Sequence, residues 1–167
     1  MNRFATFVIG IAFFGTSTAA FAQSASGSKL CVSIMQGSGG NTSPITSRDT
    51  LHKALEKQKN LKGTTEILNA STPEELSAEA KQKSCAFLLM TNLAEDHTES
   101  AYGPGVLMST TIPTFFVTVD YKLEKISDGS EVSSGSAKAQ DTGSQQNAVN
   151  ISMNKIASKV GGALKGK

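Results

Sequence analysis

The chain has 167 residues, 16 basic against 14 acidic, for a net charge of +2, with 38% hydrophobic residues, few aromatics and no tryptophan. Both signs of charge are interspersed, which argues against a nucleic-acid binder or a polybasic membrane binder. The lack of tryptophan argues against an aromatic platform for sugars, and two cysteines and two histidines without CxxC or HxxxH spacing argue against a zinc site.

The amino terminus has the three parts of a secretory signal. Arg3 is the positive start, Phe4 to Phe14 is an apolar run, and Ala20-Phe21-Ala22 is a small-x-small cleavage site. Residues 1–22 are therefore expected to be a signal peptide, and the mature chain to begin at Gln23 with a net charge of about +1. The apolar run is shorter than the roughly 20 residues that a membrane helix needs. Ser28-Lys29-Leu30 before Cys31 is a poor lipidation motif, so an unlipidated periplasmic or secreted protein is expected, with no stable membrane insertion after cleavage.

Residues 23–29 are polar and read as a flexible mature terminus, followed by one domain over 30–167. Leu30 to Met35 is β-rich and predicts a first strand. Gln36 to Ser43 is a glycine-rich loop, and a helix is expected from Ser47 to Lys59, with Leu51 and Leu55 on one face and Ile45 packing back as a staple. Thr64 to Leu68 predicts a second strand. Ser71-Thr72-Pro73-Glu74-Glu75 is the clearest helix start, with Thr72 as N-cap and Pro73 at the first helical position. The apolar run Cys85 to Leu93 reads as a strand buried on both faces.

Asp96 to Pro113 is expected to be a long loop. Thr114 to Ile126 alternates with period two, with Phe115, Val117, Val119, Tyr121 and Leu123 on the buried side. Asp128-Gly129 predicts a hairpin turn, and Glu131 to Ala139 a less buried returning strand. Ser144 to Leu164 is a helix with an apolar stripe at Val149, Met153, Ile156, Val160 and Leu164. The fold class is α/β: β-α-β-α-β, then an antiparallel hairpin and a C-terminal helix, in a single mixed sheet packed by helices.

Cys31 and Cys85 fall at the starts of the first and third strands. As parallel neighbours, those strands bring both residues to one sheet edge at about the 4.8 Å strand spacing, within reach of a disulfide. An oxidising compartment favours the bridge; two buried free thiols are the alternative.

Several stretches resemble a family of bacterial envelope proteins that includes the amino-terminal domain of TolB, CsgG and LpoB. They are Leu30–Met35, Asp49–Gln58, Ala78–Leu93 and Val117–Val132, the best being Ala80 to Met90, then Val119 to Leu123 and Asp128-Gly129. The resemblance implies a non-catalytic protein that binds other envelope components or forms homo-oligomers. CsgG makes a pore with long amphipathic hairpins, and no predicted element here is long enough for that.

No catalytic, cofactor or metal motif emerges. Gly37-Ser38-Gly39-Gly40 lacks the Gly-Lys-Ser/Thr ending of a phosphate loop, and no nucleophile elbow accompanies His52 or His97. Glu95, Asp96, His97 and Glu99 match no calcium loop. Long loops in compact domains are usually functional or disordered, and the apolar Val106, Leu107, Met108 and Ile112 either fold back over a sheet edge or form an exposed patch for a partner. The expected contact residues are therefore Gly39 and Asn41 in the glycine loop, and Tyr102, Val106, Leu107 and Met108 in the longer one. The expected function is a non-catalytic exported protein that binds an envelope component through these loops. Periplasmic small-molecule binding, in a pocket between the sheet and the terminal helix, is the alternative.

Overall fold

The structure, a computed structural model, describes residues 28–37, 41–102 and 111–165. The predicted signal segment, nearly all of the polar 23–29 segment, Gly39, Val106, Leu107 and Met108 lie outside the described residues. The elements run β1 (Leu30–Val32), α1 (Pro44–Glu56), β2 (Thr65–Ile67), α2 (Pro73–Gln82), β3 (Phe87–Tyr102), β4 (Thr111–Lys125), β5 (Glu131–Asp141) and α3 (Gln145–Ala163). This is the expected α/β order in one mixed sheet.

The sheet order is β2-β1-β3-β4-β5. β1 lies parallel to both β2 and β3, and the β3-β4-β5 half is antiparallel. The crossover from β1 to β2 and the one from β2 back past β1 to β3 run in opposite directions across the sheet, and keep one hand only by placing their helices on opposite faces. Accordingly, α1 and α3 pack on one face with Leu30, Val32, Leu89, Val119 and Leu123. The other face buries Cys31, Leu68, Leu76, Ala80, Cys85 and Leu88, with α2 over the β1 end. The predicted stripe of α3 is buried throughout, as is the predicted side of β4 from Val117 to Leu123.

The bridge between Cys31 and Cys85 is formed, with Cα atoms 5.9 Å apart. Cys31 is the middle residue of β1, and Cys85 lies in the turn between α2 and β3 rather than within the strand. Its backbone N–H donates to Ala80 O at 2.9 Å, so the turn itself sets the sulfur against β1.

Four expectations need correction. First, α1 begins at Pro44, because Ser43 is its N-cap, accepting from the Thr46 N–H at 3.2 Å, and Pro44 opens the helix. Ile45 therefore sits in the first turn, 56% exposed, and is no staple. Second, β1 stops at Val32 but pairs again at Gln36, opposite Asn92. One more residue separates Val32 from Gln36 than separates their partners Leu89 and Asn92, so the strand bulges there.

Third, most of the expected Asp96–Pro113 loop is strand: β3 continues to Tyr102 and β4 begins at Thr111. Glu95 to Ser100 lacks apolar alternation because this part of the hairpin is held by backbone pairing with β4 rather than by burial. Fourth, this makes a long hairpin, with strands of 16 and 15 residues. On its described strands, Glu95, His97 and Glu99 lie on one face and Asp96 on the other. Among the described residues, no helix is long and apolar enough to cross a membrane.

Polar ties join the layers. Arg48 is buried and donates to Leu68 O at 3.1 Å and Asn69 Oδ1 at 2.8 Å, fixing α1 to the end of β2. Glu79 of α2 accepts the N–H groups of Asn69 and Ala70 at 3.0 and 2.9 Å and pairs with Lys83 at 3.1 Å. Desolvation pushes its carboxyl up, but the Ala70 N–H, Lys83 and the Asn69 N–H together hold it below the usual value of 4.5. A carboxyl so lowered contributes stability that is complete above its unfolded pKa and is lost as pH falls through the folded one. Glu79→Gln is therefore expected to be less stable than the parent at pH 7, with the gap closing as pH falls from about 4.5 downward. Urea midpoints at pH 7 and pH 3 measure this.

Candidate functional site

One end of the sheet holds both described feet of the glycine loop and the root of the β3–β4 hairpin. The connection leaving β1 leads to β2 on one side and the one leaving β3 leads to β4 on the other, so the chain diverges between β1 and β3. In open α/β sheets the crevice beyond the carboxyl ends of strands at such a point is the usual binding position. The glycine loop leaves β1 there, beside the part of β3 that runs on to the hairpin.

Both feet of that loop are fixed. Gln36 exchanges backbone hydrogen bonds with Thr91 and Leu93 at 2.9 and 3.0 Å, and its side chain donates to Ser71 O at 3.1 Å. Gly37 has φ +66°, and a Cβ there would lie 2.7 Å from Asn92 Oδ1 and 2.9 Å from Leu93 O. Only glycine meets both demands. At the other foot, the Ser43 N–H donates to Gln146 Oε1 at 2.6 Å. Asn41 lies between these feet, exposed, in a turn.

Gln146 belongs to α3, so the loop is tied to the start of a second helix. Its Nε2 also donates to Ser47 Oγ at 3.1 Å and Asn150 Oδ1 at 3.0 Å. The amino ends of α1 and α3 thus lie side by side. Asp141 shapes the entry to α3 by accepting the N–H groups of Gly143 and Ser144 at 2.7 and 2.9 Å. The Ser144 N–H, then the Gly143 N–H, hold its carboxyl below the usual range.

The hairpin is aimed by a bulge in β3 between Leu93 and Glu95. Before it, odd-numbered residues such as Leu89 and Leu93 face α3; beyond it, Asp96 takes that side, opposite Val117. Gln145 of α3 donates to Asp96 Oδ2, which ties the root of the hairpin to the helix. The same switch puts Glu95, His97 and Glu99 on the opposite face. His97 stacks on Phe116 of β4 with ring centroids 5.0 Å apart. Glu99 lies 3.5 Å and Glu95 4.0 Å from its ring nitrogens. His97 was expected in a solvated loop; it stands on a strand against an aromatic ring.

This face of β3 and β4 carries two shallow clefts. One, of about 260 Å³, lies around His97, Phe116, Thr118 and Lys138. The other, of about 210 Å³, has Gln36 at its rim and Met90, Asn92, Asp120 and Lys122 around it. Farther along the hairpin, Ile112 pairs with Ala101 and is 57% exposed. Among the described residues of the predicted loop, it is a large apolar side chain standing in solvent. Tyr102 is the last residue of β3.

Ile112 stands out in the sequence as an apolar residue of the long segment, whereas Gln145 and Gln146 carry no signal of a site role. The Asp-x-Gly-Ser start of α3 was a signal for the helix entry, but nothing in the sequence shows that α1 and α3 are neighbours. The space between sheet and α3, expected to hold a pocket under the alternative reading, is occupied by Val149, Met153, Ile156 and Val160, all fully buried. His52, on α1, is half-buried and lies 3.9 Å from Glu56. Among the described residues, no group of three or more His, Cys, Asp or Glu is placed to hold a metal ion.

No protein-family model and no curated protein matches the chain. Solved structures do share its fold. Two structures of the PelC dodecamer from Paraburkholderia phytofirmans align with TM-scores of 0.58 and 0.55, at 15% and 17% identity. Each covers 84% of this chain, and 90% and 89% of the respective PelC chains. The hypothetical protein CT253 from Chlamydia trachomatis aligns at 0.56 with 11% identity, over 85% of this chain and 100% of that one. TolB from Acinetobacter baumannii aligns at 0.48 with 10% identity, over 84% of this chain and 29% of that one.

Proposed function

We propose that this is a non-catalytic, exported envelope protein whose work is binding, and that its contact surface is the end of the sheet formed by the glycine loop and the β3–β4 hairpin. The observation that carries this reading is the convergence there of an anchored loop, two helix starts and a hairpin fixed at its root. Each is held by named hydrogen bonds, so the surface is preorganised, which lowers the ordering cost of binding a partner. Asn41 lies beside the anchored feet of the glycine loop, and Tyr102 and Ile112 lie farther out on the hairpin that leaves this end.

Export rests on the signal at residues 1–22 and fits the bridged Cys31 and Cys85. The PelC structures, described as dodecamers, support self-assembly as one use of the surface, with another envelope protein as the other. The test is chemical crosslinking of the mature chain in its native envelope, comparing the parent with a Leu107→Asp, Met108→Asp variant and an Ile112→Asp variant. A discrete adduct, with itself or with one other protein, is expected in the parent and lost in both folded variants. Equal adducts in all three would remove the hairpin from the contact.

A further inference from the structure

β5 is an edge strand, and its 11 residues carry mostly small side chains, among them Ser133, Ser134, Gly135, Ser136 and Ala137. A long edge without bulky side chains is a template for strand addition. The outer edge is not left bare, however. Lys155 Nζ donates to Lys138 O and Lys159 Nζ to Ser136 O, each at 2.6 Å. Ser136 and Lys138 are two apart, so their carbonyls turn the same way along the strand. Both ammonium groups come from α3, one helical turn apart. Lys159 is further placed by the ring of Tyr121, with its nitrogen 5.9 Å from the centroid.

The opposite edge repeats the device. β2 is the other outer strand, and Lys83 Nζ, from the end of α2, donates to Ile67 O at 2.7 Å. Leu30 N donates to Thr64 O and Leu68 N to Val32 O, so even-numbered residues of this segment face β1 and Ile67 faces outward. Two edges with unrelated sequences thus have outward carbonyls taken by lysine from the adjoining helix.

We infer that Lys155 and Lys159 are edge guards, which occupy the outward carbonyls of Ser136 and Lys138 and keep β5 from pairing with β5 of a second copy. A second copy is the fitting occupant because antiparallel pairing about a two-fold axis asks only that the strand be complementary to itself. The small side chains around Gly135 put no bulk in its way. The lysines oppose it twice. They take the acceptors that the second strand needs, and symmetric approach brings four ammonium groups together along one seam. Self-assembly through the loop end, as proposed above, is then separated from pairing through the sheet edge. This inference stands on the edge geometry alone and does not depend on the loop-end reading.

The test compares the mature parent, Lys155→Ala with Lys159→Ala, and Lys155→Arg with Lys159→Arg, by concentration-dependent light scattering and amide hydrogen exchange. The alanine pair is expected to associate on the order of tenfold or more tightly than the parent, having lost two charged hydrogen bonds at the edge. Exchange at Ser136 and Lys138 should slow as concentration rises, and the arginine pair should behave as the parent. If the alanine pair fails to fold, each single alanine variant is read in the same way. An unchanged association state, or new protection anywhere but β5, overturns the inference.

Discussion

Replacing both cysteines, Cys31→Ala with Cys85→Ala, is expected to cost about 4 kcal/mol in unfolding free energy, by the loop-closure entropy of a bridge of this span. The two residues are 54 apart, and that loop contains α1, β2 and α2. Opening it frees the denatured chain of its longest constraint. The native state loses little polar satisfaction, because the bridge lies among Leu68, Leu76, Ala80 and Leu88 and alanine leaves an apolar site. Reduction of the parent should reproduce most of the loss. Urea unfolding of the oxidised parent, reduced parent and double variant measures it through the midpoint at constant slope. A difference below about 1 kcal/mol would mean that the denatured chain keeps this segment together without the bridge.

The second large effect is in the α3 core. Met153→Ala is expected to cost about 2–5 kcal/mol, the usual range for a large core residue truncated to alanine. Met153 is fully buried between α3 and the sheet, where Leu89, Val119, Leu123 and Ile156 belong to the same cluster. The wall opposite is a strand pair that cannot collapse without disturbing its register, so part of the removed volume persists as a cavity. That cavity should take up xenon or a small apolar ligand, which the parent should not bind there. Thermal and urea unfolding give the cost, and ligand-dependent stabilisation reports the cavity. Equal ligand binding by the parent would show that the space beneath α3 is less filled than its side chains indicate, and would revive the small-molecule reading.

Legibility from sequence followed burial. The alternation of β4 and the stripe of α3 were readable because each element has one dry side. The start of α2 is readable because Thr72-Pro73 is a local capping device, and Thr72 Oγ1 accepts the Glu75 N–H. Ser43-Pro44 is the same device at α1, but the glycine-rich segment before it masks the signal, and the expected start at Ser47 is three residues late. The hairpin beyond Leu93 was read as loop because its charges show no periodicity: a strand held by backbone pairing alone leaves none. The Asp128-Gly129 turn was legible, with Asp128 Oδ1 accepting the Ser130 N–H at 3.0 Å.

The site was half legible for a related reason. Asn41 and the apolar character of Ile112 are visible in the sequence, but the bonds that fix the loop end are not. Gln146 reaches Ser43 across 103 positions, and Gln145 reaches Asp96 across 49. Amides on the polar side of a helix look like ordinary solvated residues until a neighbouring helix is placed beside them. The edge lysines are more hidden still, since their partners are backbone carbonyls, which every residue carries.

The most direct test of binding through the loop end is site-specific photo-crosslinking in the native envelope. The photoreactive residue would be placed in turn at Asn41, Ile112, Lys62 and Lys81. Asn41 and Ile112 flank the proposed surface, Lys62 follows α1 before β2, and Lys81 is exposed on α2. The expected result is a discrete adduct, with a second copy or one other envelope protein, from Asn41 and Ile112 and none from Lys62 or Lys81. Adducts from Lys62 or Lys81 with Asn41 and Ile112 silent would contradict it, placing the working surface at another part of the molecule.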